Sequence, residues 1–219
     1  MRLSEYNSRW VLASGNKGKL KEIAWALRGK GVTLLPITEL APGFSPAETE
    51  STFVDNARLK AHAAFLATGL PSIADDSGLC VDGLGGEPGV QSARYAGEGK
   101  SDEERIAYLL DKMGPLEGDA RRAHFECWCA AALPVAEEMF MPWKEEKYGL
   151  PRGWSWVVTT GRINGTIISR PRGSGGFGYD PVFVPDLYPD RTLAELEMSE
   201  KDRVSHRGLA FAALARNID

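Results

Sequence analysis

Ser14-Gly15-Asn16-Lys17-Gly18-Lys19 sets two glycines, two lysines and an asparagine within one short run. Ahead of a helix, such a run presents backbone N–H groups and cations to a phosphate. It is not the standard P-loop, because only two residues separate the glycines and Leu20 follows the last lysine. Glycine turns before helices also occur for structural reasons alone, so phosphate binding and a plain turn both stay open here. Ala74-Asp75-Asp76-Ser77-Gly78 places adjacent carboxylates at an expected strand end. Neighbouring strand side chains point to opposite faces, so only one aspartate easily enters a given cleft. That one suits Mg²⁺ or the activation of water; the alternative is that both cap loop N–H groups.

Three further groups have the right chemistry for nucleotides. Asn56 and Lys60 are one helical turn apart and share a face, with Lys60 among Ala57, Ala61, Ala63 and Ala64. A cation on so close-packed a helix can be aimed at an anion, or can simply be solvated. Gly173-Ser174-Gly175-Gly176-Phe177-Gly178-Tyr179-Asp180-Pro181 surrounds two aromatics with glycine. A ring held this way can stack on a base, worth about 1–3 kcal/mol, or can fill a core. Lys201, Ser205, His206 and Arg207 gather positive charge and N–H donors beside the start of the last helix, which suits an anion or a carbonyl oxygen.

The elements that must position these groups can be read from periodicity and caps. Arg9 to Ser14 predicts a buried strand, Lys17 to Arg28 a helix, and Val32 to Pro36 a second strand. Thr52-Phe53-Val54-Asp55 has capping-box spacing and opens a helix that runs to Thr68 and stops at Gly69. Ser72 to Asp75 ends a strand, and the glycine-rich stretch from Asp76 to Gly99 predicts a long ordered loop. Ser101-Asp102-Glu103-Glu104 caps another helix, ended by Gly114-Pro115, and Arg122 to Leu133 alternates as a strand. Asn164-Gly165, between two β-prone runs, is a hairpin signal. Strands separated by helices, with one late hairpin, predict an α/β protein with a mixed sheet. Residues 134–153, with exposed-looking Met139, Phe140, Trp143 and Tyr148, read as an insertion or extended hairpin.

Bulk properties narrow the field. A chain of 219 residues with 43% hydrophobic residues can bury a core without disulfides. The net charge of −4 provides no global field for nucleic acid or membrane, so neither is expected as a partner. Three cysteines, Cys80, Cys127 and Cys129, point to reduced thiols and a cytoplasmic protein; only three histidines are available to complete any thiol metal site. No signal peptide or membrane-spanning run is seen.

Six ordered blocks resemble the inosine triphosphate pyrophosphatases, also called non-canonical purine NTP pyrophosphatases. They are Ser14 to Lys19; Thr52 to Ala57 with Leu59-Lys60-Ala61; Ile73 to Leu79; Ser92-Ala93-Arg94-Tyr95; Gly175 to Pro181; and Ser205 to Gly208. The resemblance implies a single domain over residues 1–219, with an elongated mixed-sheet fold whose two lobes flank a central nucleotide-binding cleft. It also implies a homodimer that uses Mg²⁺ to cut ITP, dITP and XTP to the monophosphate and pyrophosphate. Asp76 would be the catalytic carboxylate and a metal ligand, with Lys60 beside it. Ser14, Gly15, Asn16, Lys17, Gly18 and Lys19 would bind triphosphate, helped by Lys60 and Ser77, and Asn56, on the Lys60 face, would also bind substrate. Phe177, Gly178, Tyr179, Asp180, Lys201, His206 and Arg207 would form the nucleotide pocket.

The family tends to carry adjacent acidic residues before the Thr-Phe block. Here the segment is Ala47-Glu48-Thr49-Glu50, which makes Glu48 the expected second metal ligand and Glu50 its substitute. Two other readings are a related septum-associated nucleotide pyrophosphatase with pyrimidine or modified substrates, and a nucleotide-sensing module that does not cut.

Overall fold

The computed structural model describes residues 9–134 and 147–217. Its strands are β1 (Arg9–Leu12), β2 (Thr33–Pro36), β3 (Ser72–Val81), β4 (Arg122–Pro134), β5 (Trp154–Ile167) and β6 (Phe183–Pro185). Its helices are α1 (Lys17–Ala26), α2 (Ile37–Leu40), α3 (Phe53–Thr68), α4 (Asp102–Lys112), α5 (Met198–Val204) and α6 (His206–Asn217). The strands form one mixed sheet in the order β2-β1-β3-β4-β5-β6. β1 runs parallel to β2 and to β3, whereas β5 and β6 are antiparallel. The α/β class and mixed sheet are those expected. Most of residues 134–153, expected to form an insertion or extended hairpin, lie outside the described residues.

The described chain divides into two compact units. The first comprises residues 9–76, 128–134, 147–160 and 210–217; the second comprises Ser77–Cys127 and Gly161–Leu209. In the first, Val11, Ala13, Ile37, Ala61, Ala64 and Ala74 form a buried cluster. The alanines of α3 leave no bulk between the helix and its neighbours, so the backbone packs closely and the polar residues beside them are held rigidly. Thr52 caps α3 by accepting from Asp55 N–H at 3.2 Å, and its own hydroxyl donates to Asp55 Oδ2 at 2.6 Å. In the second unit Leu79, Val81, Leu109, Met113, Phe125 and Phe183 belong to one buried cluster. Fully burying a side chain of this size is worth about 1.5–3 kcal/mol. α4 carries the expected reciprocal cap between Ser101 and Glu104.

Two sequence expectations change, and one element was not foreseen. The loop expected from Asp76 is instead β3 as far as Val81, followed by 3-10 turns at Asp82–Leu84 and Gly89–Arg94. Leu79 and Val81 are fully buried, and that apolar gain outweighs the poor strand propensity of Gly78. Asn164-Gly165 does not turn: β5 passes straight through it, and Gly165 pairs with Pro185 of β6. A Cβ at Gly165 would stand 2.3 Å from Val184 O and 2.6 Å from the Phe183 ring, so the glycine marks a close approach of strands. The short helix α5, which carries Lys201, has no counterpart in the sequence reading. The cysteines are free, with Cys127 and Cys129 buried in β4 as expected.

Candidate functional site

In the first unit α3 carries Lys60 and β3 carries Asp76. The Lys60 ammonium lies 3.0 Å from Asp76 Oδ1 and 3.0 Å from Glu48 Oε1. Lys60 is 7% exposed and Asp76 is 6% exposed. Burial disfavours charge on both groups. It raises Asp76 above the ordinary carboxylate range, helped by Glu48 and opposed chiefly by Lys60. Lys60 is nevertheless raised, because Asp76, Asp75 and Glu48 together outweigh its own burial. The result is a protonated lysine held by a buried carboxylate of increased basicity. Asp76 Oδ2 is buried and has no hydrogen-bond partner among the described residues.

Asp75 points to a different cation, with its Oδ2 3.0 Å from the Lys19 ammonium. The adjacent aspartates are therefore served by separate lysines, as alternation along a strand requires. Asn16 caps α1, its Oδ1 accepting from Gly18 N–H at 2.8 Å and Lys19 N–H at 3.2 Å. Ser14 Oγ accepts from Asn16 N–H at 3.2 Å, and Gly15 is exposed between them. The side chain of Lys17 lies outside what is described. Asn56 is fully buried; its Oδ1 accepts from Glu50 N–H at 3.1 Å and its Nδ2 donates to Glu50 O at 3.2 Å. That grip fixes the backbone of the irregular segment carrying both glutamates. Glu48 is turned to Lys60, whereas Glu50 is turned to Lys147 and Tyr148.

In the second unit the glycine-rich loop, α5 and the start of α6 assemble around Phe177. The Lys201 ammonium lies 5.2 Å and the Arg207 guanidinium 5.3 Å from the Phe177 ring centroid. Asp180 Oδ2 accepts from Phe177 N–H at 2.9 Å and from the Lys201 ammonium at 2.8 Å. Gly176 has φ +74°, and a Cβ there would meet Asp180 Oδ2 at 2.1 Å, so only glycine lets this carboxylate fold over the loop. Gly178 N–H donates to Asp102 Oδ2 at 2.7 Å. Arg207 is 3% exposed, with Nη2 donating to Ser77 Oγ at 2.8 Å. His206 stacks on Phe125, with ring centroids 4.7 Å apart and planes within 10°. Ser205 Oγ accepts from Gly208 N–H. Arg207 lies at the positive end of the α6 dipole, where a cation is disfavoured, an arrangement that an anion or carbonyl oxygen would offset.

Tyr179 is buried, and its hydroxyl donates to Ser92 O at 2.9 Å, so it holds the loop against the second unit's core. Burial pushes its pKa up. Two partners escaped the sequence reading, Asp102 under Gly178 and Phe125 under His206, and the pairing of the already singled-out Asp75 with Lys19 was not foreseen. Asp102 reads locally as a helix-start residue and Phe125 as one apolar member of an alternating strand. No local signal distinguishes them.

Residues 10–217 match the model of the Ham1 family. A dITP/XTP pyrophosphatase of Thermus thermophilus is 45% identical over 205 residues, covering 93% of this chain and 88% of that protein. The structure of a HAM1 protein from Coxiella burnetii superposes with a TM-score of 0.79 at 38% identity, covering 96% of this chain and 98% of that one. The crystal structure of a nucleoside-triphosphatase, dITP/XTP pyrophosphatase, from Mycobacterium abscessus gives a TM-score of 0.70 at 40% identity, covering 94% and 98%.

Proposed function

The chain belongs to the Ham1 family, and from that premise we propose that it is a dITP/XTP pyrophosphatase. It hydrolyses ITP, dITP and XTP to the monophosphate and pyrophosphate. The observation that carries the chemistry is the ammonium of Lys60 shared by Asp76 and Glu48. Such a group is built for a reaction in which anionic oxygen and metal charge must be balanced.

The residues fit Mg²⁺. Glu48 and Asp76 converge on one cation, and the buried Asp76 Oδ2 has no hydrogen-bond partner among the described residues. Among the described residues no group of three or more His, Cys, Asp or Glu side chains is placed so that it could hold a metal ion. Two carboxylates suffice, because Mg²⁺ is usually held by one or two, with water and substrate phosphates completing its shell. When bound, Mg²⁺ neutralises phosphate charge and orients the scissile anhydride. Asp76, raised by burial, accepts a proton from the attacking water. Lys60 holds the two carboxylates in place and offsets charge on the phosphates. Lys19 and the N-terminus of α1 serve the triphosphate.

Phe177 offers its face to the base, and Lys201 and Arg207 border the same ring. Arg207 can only donate, so it pairs with the 6-oxo group of hypoxanthine or xanthine and not with the amino group of adenine. A buried donor left unpaired is costly, which makes the discrimination strong. The exclusion of guanine belongs to pocket shape around its 2-amino group. The protein acts as a cytoplasmic homodimer, a state to be checked by sedimentation.

The test is incubation with Mg²⁺ and ITP, dITP, XTP, ATP, GTP or dTTP, resolving each product. Monophosphate and pyrophosphate from the first three, with ATP and GTP nearly untouched, is the expected result. A preference for dTTP would move the protein to pyrimidine or modified substrates. Binding without cleavage would make it a sensing module.

A further inference from the structure

Glu48 and Glu50 are two residues apart in an irregular segment, and their side chains do different work. The Glu50 carboxylate is 14% exposed and receives the Lys147 ammonium at 2.7 Å on Oε1 and 2.6 Å on Oε2. The Tyr148 hydroxyl donates to Oε1 at 2.9 Å. Tyr148 is itself anchored in the first unit. Its carbonyl accepts from Trp156 Nε1 at 2.9 Å, and its ring lies 5.8 Å from that of His62 on α3. The next residue, Gly149, places its carbonyl 3.1 Å from His62 Nε2. The side chain of Glu50 is thus tied to Lys147 and Tyr148, while its main-chain N–H and C=O are gripped by Asn56. Asn56 lies one turn before Lys60, which holds Glu48.

We propose that Glu50, locked by Lys147 and Tyr148 on its side chain and by Asn56 on its backbone, is a positioning residue that fixes the direction of Glu48 toward Mg²⁺. The end of the 134–153 segment thereby sets how tightly the metal is held. The inference rests on the reading of Glu48 and Asp76 as the metal-holding pair. Lys147 is exposed, so its ion pair is screened by water and salt. Tyr148 is partly shielded and carries more of the effect. Groups that orient a metal ligand change affinity by about tenfold or more when removed. They do so without touching the reacting atoms.

The test titrates Mn²⁺ into the full-length protein with a non-cleavable α,β-imido inosine triphosphate, reading bound metal by electron paramagnetic resonance. Tyr148→Phe and Glu50→Ala are each expected to weaken Mn²⁺ by about tenfold. Glu50→Gln keeps an acceptor for the Tyr148 hydroxyl and is expected to fall between them and the parent. Hydrogen exchange of the Glu50 amide should accelerate in Tyr148→Phe, and turnover of that variant at saturating Mg²⁺ should stay within about twofold. Parental Mn²⁺ affinity in both Tyr148→Phe and Glu50→Ala overturns the proposal. So does weakening in Glu50→Ala alone, which would make Glu50 act independently of residues 147 and 148. Parental affinity in Glu48→Gln instead overturns the underlying assignment of the metal pair.

Discussion

The Lys60 ammonium lies 3.0 Å from Oδ1 of Asp76, a residue sixteen positions further along the chain, with both side chains buried. Neither group is comfortable alone in that setting, since a buried charge without its partner is strongly destabilising. Lys60→Met leaves Asp76 and Glu48 without the cation they share. The expected outcome is a lower melting temperature in EDTA and a larger Mg²⁺-induced rise than in the parent. Thermal melts with and without the metal check it.

Asp76→Asn keeps the shape of the side chain and removes its capacity to accept a proton. Turnover should fall by about a thousandfold or more, within the range of lost general-base and metal-ligand contributions. Nucleotide binding, measured by calorimetry, should survive. Near-normal turnover would reject this role for Asp76.

Arg207 donates to Ser77 and stands over Phe177. Arg207→Ala is expected to lose discrimination as well as rate, with kcat/KM for ITP falling by at least about tenfold more than that for ATP. Equal losses on the two nucleotides would count against a role in reading the 6-oxo group.

Gly176→Ala places a methyl group on the Asp180 carboxylate in a backbone conformation that side chains avoid. The loop must shift, and Asp180 must loosen its hold on Lys201 and on Phe177 N–H. A loss of about 3 kcal/mol in urea unfolding is expected, together with weaker nucleotide binding.

Cys80 is half-buried, and its thiol is pushed up to about 11, first by burial and then by Glu126 and Asp82 against the pull of Arg162. At pH 8 roughly one such thiol in a thousand is ionised. Native protein should therefore resist thiol reagents at pH 8 and react near pH 11, whereas unfolded protein reacts at once. Because the folded-state pKa is raised, this group's contribution to stability is intact below pH 9 and is lost as pH rises toward 11. Rapid labelling of Cys80 in native protein at pH 8 would contradict its burial.

Much was legible locally. The cap at Thr52, the reciprocal cap at Ser101 and Glu104, and the alternation of β4 each follow from residues within a few positions of one another. The six sequence blocks also sufficed to identify the family and its kind of chemistry. Local signals failed where a distant element supplied the deciding energy. β3 continues past Asp76 because Leu79 and Val81 have a core to enter, and β5 ignores its Asn-Gly signal because β6 lies against Gly165. The division of labour between the glutamates is of the same kind. Glu48 and Glu50 are chemically alike and lie in a segment without helix or strand periodicity, so nothing nearby orients either side chain. Only the folded chain decides, because the buried amide of Asn56 fixes their backbone, Lys60 draws in one carboxylate, and Lys147 and Tyr148 hold the other.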